Sequence, residues 1–403
     1  DEEALRQLGT RMGAAIAHRG PDDAGTWTDA AAGLVLAHRR LAIVDLSPEG
    51  HQPMVSDDGR WVIAFNGEIY NHHTLRGELA ARGQAFRGHS DTEVLLAAIA
   101  HWGVEAALAR SNGMLALAAW DRHARTLWLA RDRVGKKPLY YGWTGDGTFL
   151  FGSELAALRA CPSLRTDVDP DALALLLRLD YIPAPHCILK GVRKLPAGAL
   201  VRIDATRTDA CAVPDVHRWW NAHARHEAAI DAGFEGDEDA ALDALDTMLR
   251  DAVALRMEAD VPLGAFLSGG TDSSLVTALM QVQSTRPVRS FSIGFDNAVH
   301  DESAHAAAVA RHLRTDHTEL RADGRAAFDL VPGIARIYDE PFADSSQLPT
   351  ALLCRLARQH VTVALSGDGG DELFFGYGRY VRALRNDARL ERLPRRLLSR
   401  LAG

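Results

Sequence analysis

Seven residues, Ser268-Gly269-Gly270-Thr271-Asp272-Ser273-Ser274, follow a short apolar run at 264–267 and open a helix-patterned stretch at 273–280. The two glycines let a backbone wrap close to a ligand. The unpaired N–H groups and the dipole of a helix start favour an anion, and three serine hydroxyls add donors. Asp272 would repel a bare phosphate, but it fits if Mg²⁺ bridges its carboxylate to phosphate oxygens. The loop holds no lysine, so it is not the lysine-bearing phosphate loop of many nucleotide hydrolases. A second glycine-rich acidic segment, Ser366-Gly367-Asp368-Gly369-Gly370-Asp371-Glu372-Leu373-Phe374, follows another apolar run at 360–365. Singly, each segment also reads as a plain turn. Together, two such loops at the C-terminal ends of parallel strands would converge on one crevice.

The elements that must position these loops change character along the chain. In the first half the apolar runs read as strand pairs. A run at 61–65 ends at Asn66-Gly67, a turn signal. Runs at 114–120 and 126–130 flank a polar five-residue connection and read as a hairpin, and 140–142 with 149–152 read as another pair. Helical spacing at 75–82 stops at Gly83, and at 91–102 it stops at Gly103. Paired strands with segregated helices predict an α+β sandwich. Further on the order becomes strand, turn, helix: 264–267, 273–280, 288–295, then 302–313 capped by Asp301, then 360–365. That alternation predicts an α/β, doubly wound parallel sheet with helices on both faces. The polar, irregular stretch between them reads as a linker. The expected domains are 1–204, a linker at 205–237, and 238–403.

Composition excludes several classes. The 403 residues carry a formal net charge of −8, which argues against a general nucleic-acid binder. No apolar run approaches the roughly 20 residues that span a bilayer, and the acidic start has no signal-peptide pattern. Cys161, Cys187, Cys211 and Cys354 are scattered. With no CxxC pair and no HExxH helix, a zinc site is not expected, and free thiols in a reducing cytoplasm are.

The first loop resembles the SGGxDSS pyrophosphate loop of the ATP pyrophosphatases, and the second resembles the SGxGxDELFGGY segment of asparagine synthetases. The first half is similar to a class II glutamine amidotransferase domain. It carries His18-Arg19-Gly20-Pro21-Asp22, His38-Arg39-Arg40-Leu41-Ala42-Ile43-Val44-Asp45 and Phe65-Asn66-Gly67-Glu68-Ile69-Tyr70-Asn71. These are followed by Ser90-Asp91-Thr92-Glu93 and 131–140, all in the family order. Nearly the whole chain thus resembles the glutamine-hydrolysing asparagine synthetase family.

That resemblance implies an Ntn-hydrolase-like sandwich followed by an adenine nucleotide alpha-hydrolase-like domain. It implies that Arg40, Glu68 and Asp91 bind glutamine, Arg40 at the α-carboxylate and Asp91 at the α-amine. A guanidinium forks onto a carboxylate, and a carboxylate receives an ammonium. Asn66 and the Gly67 N–H would form an oxyanion hole. ATP and pyrophosphate would lie against Ser268, Gly269, Gly270, Asp272, Ser273, Ser274, Ser366 and Gly367, with Leu267 and Ile293 flanking adenine. Asp272 and Asp371 would bind Mg²⁺. Asp368 stands where some relatives have a glutamate proposed as base in amide formation, and its shorter reach puts that role in doubt. Phe375 replaces a glycine of the family pattern.

The implied reaction is ATP-dependent adenylation of aspartate's carboxylate. Amidation follows, by ammonia that reaches it from glutamine through a tunnel, giving AMP and pyrophosphate. The implied partners are glutamine, ATP and aspartate or another carboxylate, with no nucleic acid and no membrane; a homodimer is left open. Class II enzymes attack glutamine with an N-terminal cysteine. Here residue 1 is Asp and no cysteine precedes Cys161. The chain therefore reads as truncated at both ends, and glutaminase activity is expected to be absent from it. The basic stretch at 389–400 reads as a solvated helix face. The competing readings are an amidotransferase acting on a sugar acid or beta-lactam precursor, and a non-catalytic pseudoenzyme.

Overall fold

The computed structural model describes residues 1–206, 214–295, 302–322 and 324–390. The chain divides into two units. The first comprises Asp1–Thr247 with the segments Glu258–Val261 and Asp329–Leu348; the second comprises Met248–Met257, Pro262–Phe328 and Pro349–Gly403.

Eleven strands in the described part of the first unit are β1 (Asp23–Asp29), β2 (Leu34–Arg40), β3 (Met54–Val55), β4 (Trp61–Ile69), β5 (Gly113–Asp121), β6 (Thr126–Arg131), β7 (Tyr140–Trp143), β8 (Phe149–Gly152), β9 (Val192–Lys194), β10 (Ala199–Asp204) and β11 (Val216–Arg218). The main sheet is antiparallel, in the order β11-β10-β6-β5-β4-β3, with β1-β2 and β8-β7-β9 as smaller sheets. Its helices up to residue 232 are α1 (Glu2–Ala15), α2 (His72–Ala80), α3 (Asp91–Trp102), α4 (Val104–Arg110), α5 (Leu155–Arg159), α6 (Pro170–Leu179) and α7 (Ala222–Ala232).

The period-2 alternation of β4 and β5 builds two cores on opposite faces of the main sheet. Ile63, Phe65, Leu117 and Ala119 pack with Val94, Leu95 and Ile99 of α3. Val62, Ala116, Ala118 and Trp120 pack with Leu36 of β2 and Tyr141 of β7. The result is the expected sandwich. Ser90 caps α3: its Oγ accepts the Glu93 N–H at 3.3 Å. The Glu93 carboxylate reaches back past the cap to the N–H groups of Arg87 (2.7 Å) and Gly88 (3.1 Å), so the turn that precedes the helix is tied to its first turn.

Two expectations change and one element is added. Asn66-Gly67 is not a turn, because β4 continues to Ile69 and pairs with β5 throughout. A Cβ at residue 67 would overlap the Met114 carbonyl, so the glycine serves a close strand approach. The 205–237 stretch, read as a linker, carries β11, paired with β10, and α7. Helix α1 was not foreseen. Gly9 and Gly13 break its helical pattern, but they let it lie against Val35 and Ala37 of β2.

In the second unit β12 (Leu263–Phe266), β13 (Arg289–Phe295), β14 (Asp316–Ala322) and β15 (Val363–Leu365) form an all-parallel sheet ordered β14-β13-β12-β15. The end of α8 (Glu238–Arg256) and α9 (Thr271–Gln283) cover one face, through Leu249, Val253, Leu279 and Met280 on Leu263 and Ala265. On the other face Leu353 and Ala357 pack against Phe266, Phe291 and Leu320. Helix α10 (Ser303–Leu313) closes over Leu267 with Ala306 and Ala310. The sheet is therefore wound on both faces. Strand β15 is shorter than expected, because Val361 still closes the turn of the preceding helix onto Ala357. Asp301, the expected cap of α10, lies outside the described residues, as do 391–403 of the basic stretch. Among the described residues no helix is long and apolar enough to cross a membrane.

Candidate functional site

In the first unit one cavity of about 1150 Å³ is lined by Arg40, Asn66, Gly67, Glu68 and Asp91, all five of the residues expected there. Arg40 ends β2. Its guanidinium is buried and donates to the carbonyls of Ser47 (3.1 Å), Val44 (3.4 Å) and Asp45. Three of its five N–H donors are thus engaged in holding the 44–47 loop. Asp91 opens α3, and its Oδ2 accepts the Ile69 N–H at 2.8 Å. Burial raises its pKa above the ordinary carboxylate value, opposed by that hydrogen bond and by nearby His72. Asn66 Nδ2 donates to Ser153 Oγ at 3.2 Å.

Four lining residues carry roles that sequence reading did not assign. Gln52 clasps the backbone just ahead of Asn66: its Oε1 accepts the Phe65 N–H at 2.7 Å, and its Nε2 donates to the Phe65 carbonyl at 3.1 Å. This side chain does for Phe65 what a neighbouring strand would do. His38 adds a third contact, Nε2–H to the same carbonyl at 3.0 Å. Burial pushes the pKa of His38 down to about 4, with the charge of Arg40 acting in the same direction, so its imidazole is neutral. Lys137 is lowered by burial and feels Glu68, and Ser153 holds Asn66. His38 stood inside a quoted motif; nothing in the local sequence marked Gln52. Among the described residues no cysteine lines the cavity. The arrangement offers a cation, a buried carboxylate and an amide within one chamber, which suits a small zwitterion.

In the second unit β12 and β15 are neighbours in register, Ala265 opposite Leu365, so the loops that follow leave the sheet together. The strand order reverses here, since β13 and β14 lie on the other side of β12; that reversal is where α/β sheets open a crevice. Gly269 has φ +84°, and a Cβ there would sit 2.7 Å from the backbone of α10. Ser268 Oγ and Ser273 Oγ share a hydrogen bond at 2.9 Å, and the Gly270 N–H donates to Ser268 Oγ at 3.2 Å. Ser274 Oγ is buried without a hydrogen-bond partner among the described residues.

The two loops touch. A Cβ on Gly367 would lie 2.7 Å from the Ser273 nitrogen, and one on Gly370 would overlap the Asp272 carboxylate. Asp371 is the next residue. Among the described residues neither Asp272 nor Asp371 has a lysine or arginine ion-pair partner. Two uncompensated carboxylates, an orphaned hydroxyl and a helix start make a donor set of hard oxygens and N–H groups that fits Mg²⁺ with a polyphosphate. Leu267 is buried, with its N–H on the Phe291 carbonyl at 2.8 Å; Ile293 is half-buried on the adjacent β13. Asp368 is exposed and accepts the Ser366 hydroxyl at 2.9 Å. Phe375 adopts φ +59°, the left-handed region that explains why a glycine would suit that place.

The family model described as a glutamine amidotransferase domain matches residues 2–220, and that described as asparagine synthase matches 244–403. A Methanocaldococcus jannaschii protein, provisionally named asparagine synthetase (glutamine-hydrolyzing) 2, is 34% identical over 413 residues, covering 98% of this chain and 77% of its own. A Mycobacterium tuberculosis protein, provisionally named asparagine synthetase (glutamine-hydrolyzing), is 38% identical over 90% of this chain and 56% of its own. Asparagine synthetase (glutamine-hydrolyzing) 1 of Bacillus subtilis is 34% identical over 94% of this chain and 56% of its own. The chain thus spans about three quarters of the archaeal relative and little more than half of the other two.

Proposed function

Because the chain belongs to the glutamine-hydrolysing asparagine synthetase family, we propose that it works in ATP-dependent amidation of aspartate with ammonia drawn from glutamine, releasing AMP and pyrophosphate. The observation that carries this reading is the contact of the two loops, Gly370 against the Asp272 carboxylate. In this reading 238–403 is the synthetase part. Ser268, Gly269, Gly270, Ser273, Ser366 and Gly367 cradle the phosphates, and the buried Ser274 hydroxyl gains there the partner it lacks. Leu267 and Ile293 flank the adenine. Asp272 and Asp371 would hold Mg²⁺, which supplies charge neutralisation on the triphosphate.

The acceptor carboxylate attacks the α-phosphorus. The bond from that phosphorus to the bridging oxygen breaks, and pyrophosphate leaves with the electron pair. Ammonia then adds to the activated acyl carbon, AMP departs with the C–O pair, and a base removes the surplus proton. Asp368, held on Ser366 and exposed, is a weak candidate for that base.

In the 1–204 part, Arg40, Glu68 and Asp91 orient glutamine, and the second Asn66 amide hydrogen with the Gly67 N–H would face the developing oxyanion. The same reading places the protein in the cytoplasm, in keeping with the free thiols of Cys161, Cys187 and Cys354, and allows a homodimer, which light scattering would test.

Pyrophosphate release from Mg²⁺-ATP, with and without aspartate and ammonium, tests the function. Aspartate-stimulated release with one asparagine formed per pyrophosphate is expected. Stimulation by a sugar acid or a beta-lactam precursor instead would move the acceptor, and release that no carboxylate stimulates would reject a ligase.

A further inference from the structure

Apart from these loops, the first unit gathers three metal-ligating side chains that the proposed reaction does not use. His72 and His73 open α2, and Glu258 comes from the short Glu258–Val261 segment of the same unit. Their ligand atoms all lie within 4.8 Å of one another. His73 Nε2 is 2.5 Å from Glu258 Oε1, and His72 Nε2 is 3.4 Å from the same oxygen.

His72 is the informative member. It is 3% exposed. Its Nδ1 lies 2.9 Å from the Ile69 carbonyl. A carbonyl can only accept, so Nδ1 carries a hydrogen and Nε2 is the ring atom left to face Glu258. That Nε2 is buried and has no hydrogen-bond partner among the described residues. A nitrogen this close to a carboxylate oxygen needs a proton or a metal ion between the two, and a nearby second imidazole, His73, suits the metal ion. Backbone anchoring of the far nitrogen is also how a metal-ligating histidine is usually held.

We propose that His72 Nε2, His73 Nε2 and the Glu258 carboxylate form a three-ligand site for a divalent transition-metal ion of the zinc class. Two imidazoles and one carboxylate suit Zn²⁺ or Co²⁺ and leave a fourth position for water. Tetrahedral bonds of about 2.0–2.1 Å set ligand atoms roughly 3.3 Å apart, which the His72–Glu258 pair already matches. His73 is exposed, its ring centroid 4.2 Å from that of His72, and needs only to swing outward from its hydrogen bond. The site borders the cavity through one residue: the Ile69 carbonyl receives His72, while the Ile69 N–H donates to Asp91. No local zinc motif marks it, because its ligands come from positions 72, 73 and 258.

The test uses the whole chain, stripped with a chelator and titrated with Zn²⁺ by calorimetry and with Co²⁺ by visible absorption. One equivalent of Zn²⁺ and a ligand-field band of four-coordinate Co²⁺ are expected. His73→Ala and Glu258→Gln should each weaken Zn²⁺ by at least about tenfold and remove the Co²⁺ band. His73 is exposed, so that variant should keep its fold, which circular dichroism checks. No saturable uptake by the parent chain, or uptake equally tight in both variants, would overturn the site. The buried His72 nitrogen would then be paired through a proton alone, or the ion would sit elsewhere.

Discussion

At the scale of single residues, the first-unit cavity is governed by two buried groups whose proton affinities move in opposite senses. Asp91 is raised by burial, so it takes up a proton at a higher pH than an ordinary carboxylate. If it receives an ammonium, glutamine affinity should begin to fall, as pH drops, before surface carboxylates titrate. Asp91→Asn should weaken glutamine binding by roughly 30- to 150-fold, the worth of about 2–3 kcal/mol for a charge-assisted hydrogen bond, read by calorimetry at neutral pH. His38 is lowered to about 4 from an ordinary 6.5. Above pH 6.5 folded and unfolded chains are both neutral at this residue, and its full contribution is present. As pH falls from 6.5 toward 4 the unfolded chain binds the proton first, so stability is lost, on the order of 2 kcal/mol. Denaturant unfolding between pH 7 and 5 should show that slope, and His38→Gln should flatten it.

At the scale of elements, the glycine loop of the second unit is shaped by its neighbours. Gly269 combines φ +84° with a backbone approach from α10. Gly269→Ala should cost more than about 2 kcal/mol, seen as a lowered melting temperature together with lost ATP affinity. Which elements were legible follows from their period. Strands β4, β5 and β6 stand out as continuous apolar runs because both faces of their sheet are covered, and the helical spacing of α3 runs over the expected 91–102 between a capping serine and a glycine. Strand β14 reads Asp-His-Thr-Glu-Leu-Arg-Ala and offers little apolar alternation; its seven-residue pairing with β13 makes it a strand. Asn66-Gly67 has the composition of a turn, and only the partner strand, with Met114 passing over residue 67, shows why the glycine is there.

At the scale of the whole molecule, the residues that bear chemistry were readable where they sit in contiguous loops and unreadable where distant segments meet. The Ser268–Ser274 and Ser366–Phe374 loops announced themselves. The clasp of Gln52 on Phe65, the Ser153 partner of Asn66 and the meeting of His72 and His73 with Glu258 exist only once the chain is folded. The central claim is that Asp272 and Asp371 act together on one metal-bound nucleotide, and calorimetric titration of Mg²⁺-ATP onto the chain, Asp272→Asn and Asp371→Asn tests it most directly. Binding that requires Mg²⁺ and weakens at least about tenfold in each variant is the predicted result. Binding that is indifferent to Mg²⁺, or equally tight after either substitution, would contradict it.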